Sequence, residues 1–372
     1  MRTTAGIIGA LVCALVLATS AWAGGVIKIG VVFPMTGPAA VYGQNGLKGL
    51  KLAVEHRPKV LGKKVELVVA DNKSDKVEAS NAANRVIQRD HVVAVIGALT
   101  SSNSLATAPV CEKAHVPMIS PWATNPMVTQ GRKYVFRVCF IDPFQGKVAA
   151  NFAWKKLGAR TAAIMIDISQ DYCVGIASFF ERAFKALGGK ILIKTHYNTG
   201  DQDFSAQLSA IKAAGPDIIY VPGYFTEDAL IARQARELGL KQVLLSGDAA
   251  QAPELIKIGG KAVEGLYLTT HFDEKGVTTD SGRYFVKAYR ARYSEAPDSV
   301  SALSYDAYNV LLNAIERAGT TNAEKVVAEL EKTKNFPGVT GVLSLVNHNA
   351  IKPAVVLKVE GGKFVYVATV NP

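Results

Sequence analysis

The chain has 372 residues, of which 49% are hydrophobic and 20% are charged, and its formal net charge is +11. The length suits two domains, and the composition is ordinary for a globular protein with sizeable cores. Lysine and arginine are scattered as singles and pairs, without a basic run or interleaved aromatic residues, which argues against a nucleic-acid-binding face. We expect the excess charge only to attract anionic membrane surfaces weakly.

The first 23 residues have the features of a cleavable secretory signal. Arg2 is followed by an apolar run over residues 5–18 and by a small-residue motif that ends at Ala23. This segment is too short to span a membrane, and Cys13 within it is not preceded by a small residue, which argues against a lipoprotein signal. We predict cleavage before Gly24 and a periplasmic mature protein that is not embedded in the membrane.

From residue 26 onward, apolar strands alternate with helices. The first half predicts strands at 26–33, 65–70, 92–96, 116–119 and 134–139, with helices at 43–56, 76–89 and after the third strand. Strand, helix and strand in succession form the unit of a parallel sheet.

The alternation then restarts. The second half predicts strands at 161–166, 191–196, 217–221, 243–246, 265–270, 354–359 and 363–370, and helices at 143–157, 174–187, 204–213, 227–238, 283–293, 301–318 and 323–332. The whole pattern predicts an α/β fold with two doubly wound lobes, each with a parallel central sheet, joined by a hinge that the chain crosses more than once. We place residues 24–140 plus 271–344 in the first lobe and residues 141–270 plus 345–372 in the second.

Hydroxyl groups follow neighbouring strand ends in the first half. Ser101 and Ser102 lie where an N-cap is expected, and the free N–H groups of the helix behind them favour an anion. Ser120 and Thr124 add hydroxyls from the next strand end. Ligands bind where parallel strands end, so these residues predict a carboxylate-binding corner, unless the two serines simply cap the helix.

The other strand ends supply aromatic side chains and one carboxylate. Tyr42, Thr100 and Trp122 follow strands of the first half, and Tyr172, Tyr224 and Asp248 follow strands of the second. Each has a plain alternative: the tyrosines could pack between lobes, and Asp248 could cap a helix. Together, an anion holder, a cation holder and apolar walls predict a site in an interlobe cleft for a free zwitterionic amino acid with an apolar side chain.

Enzyme and cofactor signatures are missing from the sequence. None of the six histidines stands four residues from another, and there is no nucleophile elbow, phosphate loop or dinucleotide-binding glycine motif. We therefore expect no enzyme activity, no cofactor and no metal, although a secreted enzyme with an unrecognised site remains an alternative. Cys111, Cys139 and Cys173 are expected to be buried thiols, with a Cys111–Cys139 bridge as the alternative.

Several short motifs carry a resemblance to a known family. They are Met35-Thr36-Gly37-Pro38 with Tyr42-Gly43, Ile96-Gly97 with Ser101-Ser102, Pro121 with Ala123-Thr124, Asp142 with Gln145-Gly146, Asp171-Tyr172, Gly223-Tyr224, and Arg233-Gln234-Ala235-Arg236 with Gly239-Leu240. Over essentially the whole mature chain, the sequence resembles the leucine/isoleucine/valine-binding proteins, which are class I periplasmic binding proteins of ABC importers.

This resemblance implies roles for individual residues. Ser101 and Thr124, with the backbone of Trp122, would hold the ligand's α-carboxylate. Asp248, together with Thr124 and the backbone near it, would receive the α-ammonium group, and Ala123 belongs to the same ligand-binding strand end. Tyr42, Tyr172 and Tyr224 would line the pocket, and Thr100 and Ser102 belong to the same strand end as Ser101.

The resemblance also implies partners and shows two departures. The partners would be a small-molecule amino acid and, transiently, the transmembrane subunits of an ABC permease, with the binding protein itself a monomer. Ser74 and Thr100 stand near positions where some members have cysteines, and Trp122 stands where a small residue can occur. An aromatic carboxylic acid or amide is the alternative ligand, with Trp122 as a stacking wall.

Overall fold

The computed structural model describes residues 25–372. The predicted secretory signal and its cleavage before Gly24 lie outside these residues. In the described part of the chain, no helix has both the length and the apolar character needed to cross a membrane.

The first part of the chain builds a six-stranded sheet. Its elements are β1 (Ile27–Phe33), α1 (Ala40–His56), β2 (Lys59–Val60), β3 (Lys63–Asp71), α2 (Lys76–Gln88), β4 (Ala94–Gly97), α3 (Ser101–Ala114), β5 (Met118–Ser120) and β6 (Val135–Arg137). The strand order is β2-β3-β1-β4-β5-β6, and all pairs except β2–β3 are parallel. β1 is buried along nearly its whole length, as expected for a central strand covered by helices on both faces.

The next part builds most of a second sheet. Its elements are α4 (Asp142–Lys155), β7 (Thr161–Asp167), α5 (Asp171–Ala186), β8 (Lys190–Tyr197), α6 (Ser205–Ala214), β9 (Ile218–Tyr220), α7 (Phe225–Glu237), β10 (Val243–Ser246), α8 (Pro253–Gly259) and β11 (Tyr267–Thr270). These five strands pair in parallel.

The remaining elements return to the first sheet and then to the second. They are α9 (Asp280–Tyr293), α10 (Ser299–Ala318), α11 (Ala323–Glu331), β12 (Phe336–Gly338), β13 (Gly341–Val346), β14 (Asn349–Ile351), β15 (Ala354–Glu360) and β16 (Lys363–Val370). The second sheet then has the order β16-β15-β11-β10-β9-β7-β8, while β12, β13 and β14 form a small separate sheet.

Three passages of the chain connect the two large sheets. The first follows β6, the second follows β11 and leads to α9, and the third precedes β15. We call these passages, at residues 138–141, 271–279 and 352–353, the hinge segments. They confirm the predicted pair of doubly wound units and the multiply crossed hinge, whereas the exact lobe boundaries stay a prediction.

Close helix packing fixes the first unit. Gly49 of α1 lies so near α10 that a Cβ atom there would stand 2.0 Å from the carbonyl oxygen of Ser301. The small sheet adds a further contact, because the N–H of Arg137 in β6 donates to the carbonyl of His348 at 3.0 Å. Residues far apart in sequence therefore complete the unit that β1 begins.

The sequence patterns missed five short elements. They predicted neither α8 nor the strands β2, β12, β13 and β14. The closing hairpin was predicted correctly, including its turn at Gly361 and Gly362, where both residues have positive φ, 60° and 70°.

Candidate functional site

A small cavity lies between the two sheets, at their carboxyl edges. The free space between its lining side chains is small, about 10 Å³. Its lining residues follow the ends of β4, β5, β7, β9 and β10: they are Leu99, Thr100, Ser101, Trp122, Thr124, Tyr172, Tyr224, Asp248 and Ala249. These side chains come from both sheets, so a ligand held here would contact both lobes.

The start of α3 forms one wall of the cavity. The N-cap is Thr100, whose Oγ1 accepts a hydrogen bond from the N–H of Asn103 at 3.4 Å, so the predicted N-cap at Ser101 or Ser102 is wrong by one or two residues. The side chains of Thr100, Ser101 and Ser102 can each cap a helix, and the backbone conformation places Thr100 at the N-cap position. Ser101 Oγ instead accepts from the N–H of Asn125 at 3.2 Å, which leaves its own proton free to donate.

The opposite wall carries a carboxylate held by neutral donors. Oδ1 of Asp248 accepts hydrogen bonds from Gln145 Nε2 and from the Tyr172 hydroxyl, both at 2.8 Å. Oδ2 lies 3.2 Å from Nε2 of His271. Asp248 is 2% exposed, so its orientation is fixed by these three contacts.

The groups that surround the Asp248 carboxylate are neutral and supply no cation to it. Burial lowers the pKa of His271 to about 4, so the imidazole is neutral at pH 7 and donates through its Nε2–H. Burial likewise raises the pKa of Tyr172 well above its usual value, which keeps the phenol protonated. Within the described residues, Asp248 forms no ion pair with lysine or arginine. A cationic ligand group would therefore complete this wall.

Three predicted site residues lie just outside the cavity lining. Tyr42 packs its ring against Trp122, with centroids 4.6 Å apart, and donates its hydroxyl proton to the carbonyl of Ala249. Ser102 Oγ accepts from the N–H of Asp171 at 3.0 Å. The carbonyl of Ala123 accepts from the buried Arg137 guanidinium at 2.6 Å. These residues support the walls of the cavity and the contact between the lobes.

The two lobes touch across the cleft. In addition to the contacts of Tyr42 and Ser102, Asn125 Nδ2 donates to the carbonyl of Asp171 at 2.9 Å. Lys76 Nζ lies 2.9 Å from the carboxylate of the same aspartate. The described arrangement is therefore a closed one, with the lobes in direct contact beside the cavity.

Sequence reasoning missed four residues of this site. Leu99 and Ala249 line the cavity next to predicted residues, and a wider window around each strand end would have included them. Gln145 was noted only as part of a motif. His271, which is 1% exposed, was not singled out, because nothing local in the sequence indicates its contact with Asp248.

The described residues contain neither a disulfide bond nor a metal site. Cys111, Cys139 and Cys173 are all buried free thiols, so the alternative of a Cys111–Cys139 bridge is wrong. Burial raises the pKa of both Cys111 and Cys139 to about 12. Residues 25–372 contain no group of His, Cys, Asp and Glu that could hold a metal ion.

The sequence matches a family model over most of its length. Residues 26–363 match the model described as periplasmic binding protein. The chain belongs to the periplasmic binding proteins. A relative within this family is the leucine-, isoleucine-, valine-, threonine- and alanine-binding protein of Pseudomonas aeruginosa, which is 33% identical over 323 residues, 85% of each chain.

Solved structures of the family have the same fold. The leucine-binding protein LivK of Thermotoga maritima is 49% identical, with a TM-score of 0.92 over 93% of this chain and 99% of that one. The branched-chain amino acid binding protein LivJ of Streptococcus pneumoniae, solved with isoleucine, is 34% identical, with a TM-score of 0.88 over 94% of this chain and all of that one. These matches confirm the class I periplasmic binding protein family predicted from the sequence motifs.

Proposed function

We propose that this periplasmic binding protein captures a free α-amino acid with an apolar, branched side chain outside the cytoplasmic membrane. It delivers this ligand to the transmembrane subunits of an ABC importer and catalyses no reaction. The observation that carries the proposal is the buried Asp248 carboxylate, which lines the cavity between the lobes and has neutral donors but, among the described residues, no protein cation.

The two walls divide the recognition of a zwitterion between them. Ser101, Thr124 and the N-terminal N–H groups of α3 bind the α-carboxylate, because hydroxyl donors and a helix N-terminus favour an anion. Asp248 binds the α-ammonium group, which loses its water in the cavity and needs a charged partner. The side chain packs against Leu99 and the aromatic rings.

The family relatives support this ligand class. The Pseudomonas relative is named for leucine, isoleucine, valine, threonine and alanine, and the Streptococcus structure holds isoleucine. The closed contacts between the lobes fit capture by hinge closure, since only the closed state offers both walls to one ligand.

A thermal-shift panel of the common amino acids and of aromatic acids tests the ligand class. A binding amino acid at about 100 times its Kd should stabilise the protein by roughly 2.7 kcal/mol. Stabilisation by benzoate-like acids, with no response to any amino acid, would instead support the aromatic-acid alternative.

Calorimetric titration of Asp248→Asn tests the assigned ammonium contact. The substitution keeps the shape and removes the charge, so affinity should fall by about thirtyfold or more, equivalent to 2–5 kcal/mol for one member of a desolvated charge pair. Asp280→Asn is the control, because Asp280 is a carboxylate whose side chain is 97% exposed. Ser101→Ala should cost less than Asp248→Asn, since the N–H groups of α3 remain. An affinity for Asp248→Asn within about threefold of the parent would refute the ammonium assignment.

A further inference from the structure

One wall of the ligand cavity contains a buried hydrogen-bond donor without a partner. Trp122 lines the cavity and is 4% exposed, and its Nε1–H finds no acceptor among residues 25–372. An indole nitrogen only donates, and buried donors are rarely left unpaired because the lost hydrogen bond to water is costly. Such a group in the wall of the ligand cavity points to an acceptor on the ligand.

Neighbouring protein groups are engaged elsewhere. The Tyr42 ring packs against the indole, while its hydroxyl donates to the carbonyl of Ala249 and accepts from the N–H of Phe225 at 3.4 Å. Asp248 accepts from Gln145, Tyr172 and His271, and its remaining capacity to accept is assigned above to the ligand's ammonium group. The missing acceptor must therefore arrive with the bound molecule.

The ligand's α-carboxylate has its own donors. The free proton of Ser101, the hydroxyl of Thr124 and the N–H groups at the start of α3 are sufficient for two carboxylate oxygens. The indole N–H is an additional donor in a cavity otherwise walled by Leu99, Tyr172 and Tyr224. An acceptor on the side chain of the ligand would use it.

We propose that Trp122 determines side-chain specificity by donating its indole N–H to an oxygen on the ligand's side chain. The inference rests on the proposed function and adds to its apolar ligands the amino acids of branched shape that carry a side-chain hydroxyl. Threonine and valine are the informative pair, because they have nearly the same shape and differ by a hydroxyl in place of a methyl group.

Calorimetric titration of threonine and valine into the parent, Trp122→Phe and Trp154→Phe tests the proposal. Trp122→Phe keeps an aromatic ring and removes the donor. Trp154→Phe is the matched control, because Trp154 in α4 packs against Arg160, at 3.8 Å from the ring centroid, and does not line the cavity. We expect Trp122→Phe to shift the ratio of the two affinities toward valine by about tenfold, or 1.4 kcal/mol, while the control leaves it unchanged.

Nitrogen-15 spectra of the parent give a second measurement that needs no folded Trp122 variant. Trp154→Phe assigns the two indole N–H signals of the mature chain, and the Trp122 signal should move on addition of threonine much more than on addition of valine. Equal weakening of both ligands by Trp122→Phe, or equal signal shifts, would overturn the inference and leave the proposed function standing. If the parent binds no amino acid, both the proposed function and this inference are wrong.

Discussion

The Nε2 atom of His271 lies 3.2 Å from Oδ2 of Asp248, which brings a hinge residue into contact with the proposed ammonium acceptor. His271 belongs to the second hinge segment. Its ring stacks on Phe140 of the first segment, with centroids 3.8 Å apart, and its carbonyl accepts from Lys352 Nζ of the third at 3.2 Å. All three hinge segments therefore meet at one residue, which places the hinge in direct contact with Asp248.

Substitution of His271 should weaken amino-acid binding through Asp248. His271→Leu removes the donor to Oδ2, and because hydrogen bonds to charged groups contribute about 1.5–3 kcal/mol, we expect an affinity loss of about tenfold or more. His271→Gln retains an N–H donor and should recover most of this loss. Titration calorimetry compares the two variants, and equal losses in both would show that the hydrogen bond is unimportant.

The hydroxyl of Tyr42 should stabilise the closed state. It connects the first unit to the carbonyl of Ala249 in the second, and a net hydrogen bond contributes about 0.5–1.5 kcal/mol. We expect Tyr42→Phe to lower ligand affinity by about two- to tenfold and to increase the radius of gyration of the unliganded protein in solution scattering. Tyr366→Phe is the control, since that hydroxyl contacts only Thr369 on the same exposed strand. Unchanged scattering and affinity for Tyr42→Phe would contradict the role of this contact.

The close approach of Tyr172 to Gly247 leads to a third prediction. A Cβ atom on Gly247 would stand 2.0 Å from the Tyr172 hydroxyl, so Gly247→Ala should push that hydroxyl away from Asp248 and reduce ligand affinity. In the Tyr172→Phe background the clashing atom is gone, and Gly247→Ala should then have little further effect. A double-mutant cycle measured by calorimetry gives the coupling. Independent, additive losses would show that the two positions do not interact.

The buried Asp142 should make stability depend on pH. Burial raises the pKa of its carboxyl from 3.8 to about 8, so between these values the folded state holds a proton that the unfolded state has released. Its contribution to stability is therefore present at low pH and falls as pH rises from about 4 to about 8. Asp142→Asn cannot ionise and should gain stability relative to the parent over this range.

Urea unfolding of both proteins at pH 5 and pH 8 measures this effect. The difference in the free energy of unfolding should change in favour of Asp142→Asn by at least about 1 kcal/mol, the equivalent of less than one pKa unit. The lowered pKa of His271 has the opposite effect, because it makes the folded state more stable as pH rises from about 4 to 6.5. His271 is present in both proteins, so its effect cancels in the difference. A pH-independent difference would show that Asp142 is ionised in the folded state.

The sequence was sufficient for the regular parts of the fold and for the strand-end positions. The alternation of strands such as β1 with amphipathic helices specifies parallel units, and parallel units place their carboxyl ends at one edge. Seven of the ten predicted site residues, including Ser101 and Asp248, consequently line one cavity. Their contacts with a ligand stay a prediction.

The remaining features depend on tertiary contacts that no local pattern encodes. Strands β12 to β14 are short, and their pairing with one another, rather than a long apolar run, defines them. The burial of His271 follows from the meeting of three hinge segments. The N-cap was placed at Ser101 or Ser102 because Thr100, Ser101 and Ser102 have similar capping chemistry, and only the backbone conformation distinguishes them.

The threefold passage of the chain between the sheets also has a consequence for limited proteolysis. A cut in the first hinge segment would separate residues before the cut from those after it, yet the later fragment still contains α10, which packs on the first sheet, and β15, which pairs in the second. One nick would therefore leave the lobes tethered by the other two segments. A nicked protein should run as two fragments in a denaturing gel while it elutes as one particle under native conditions.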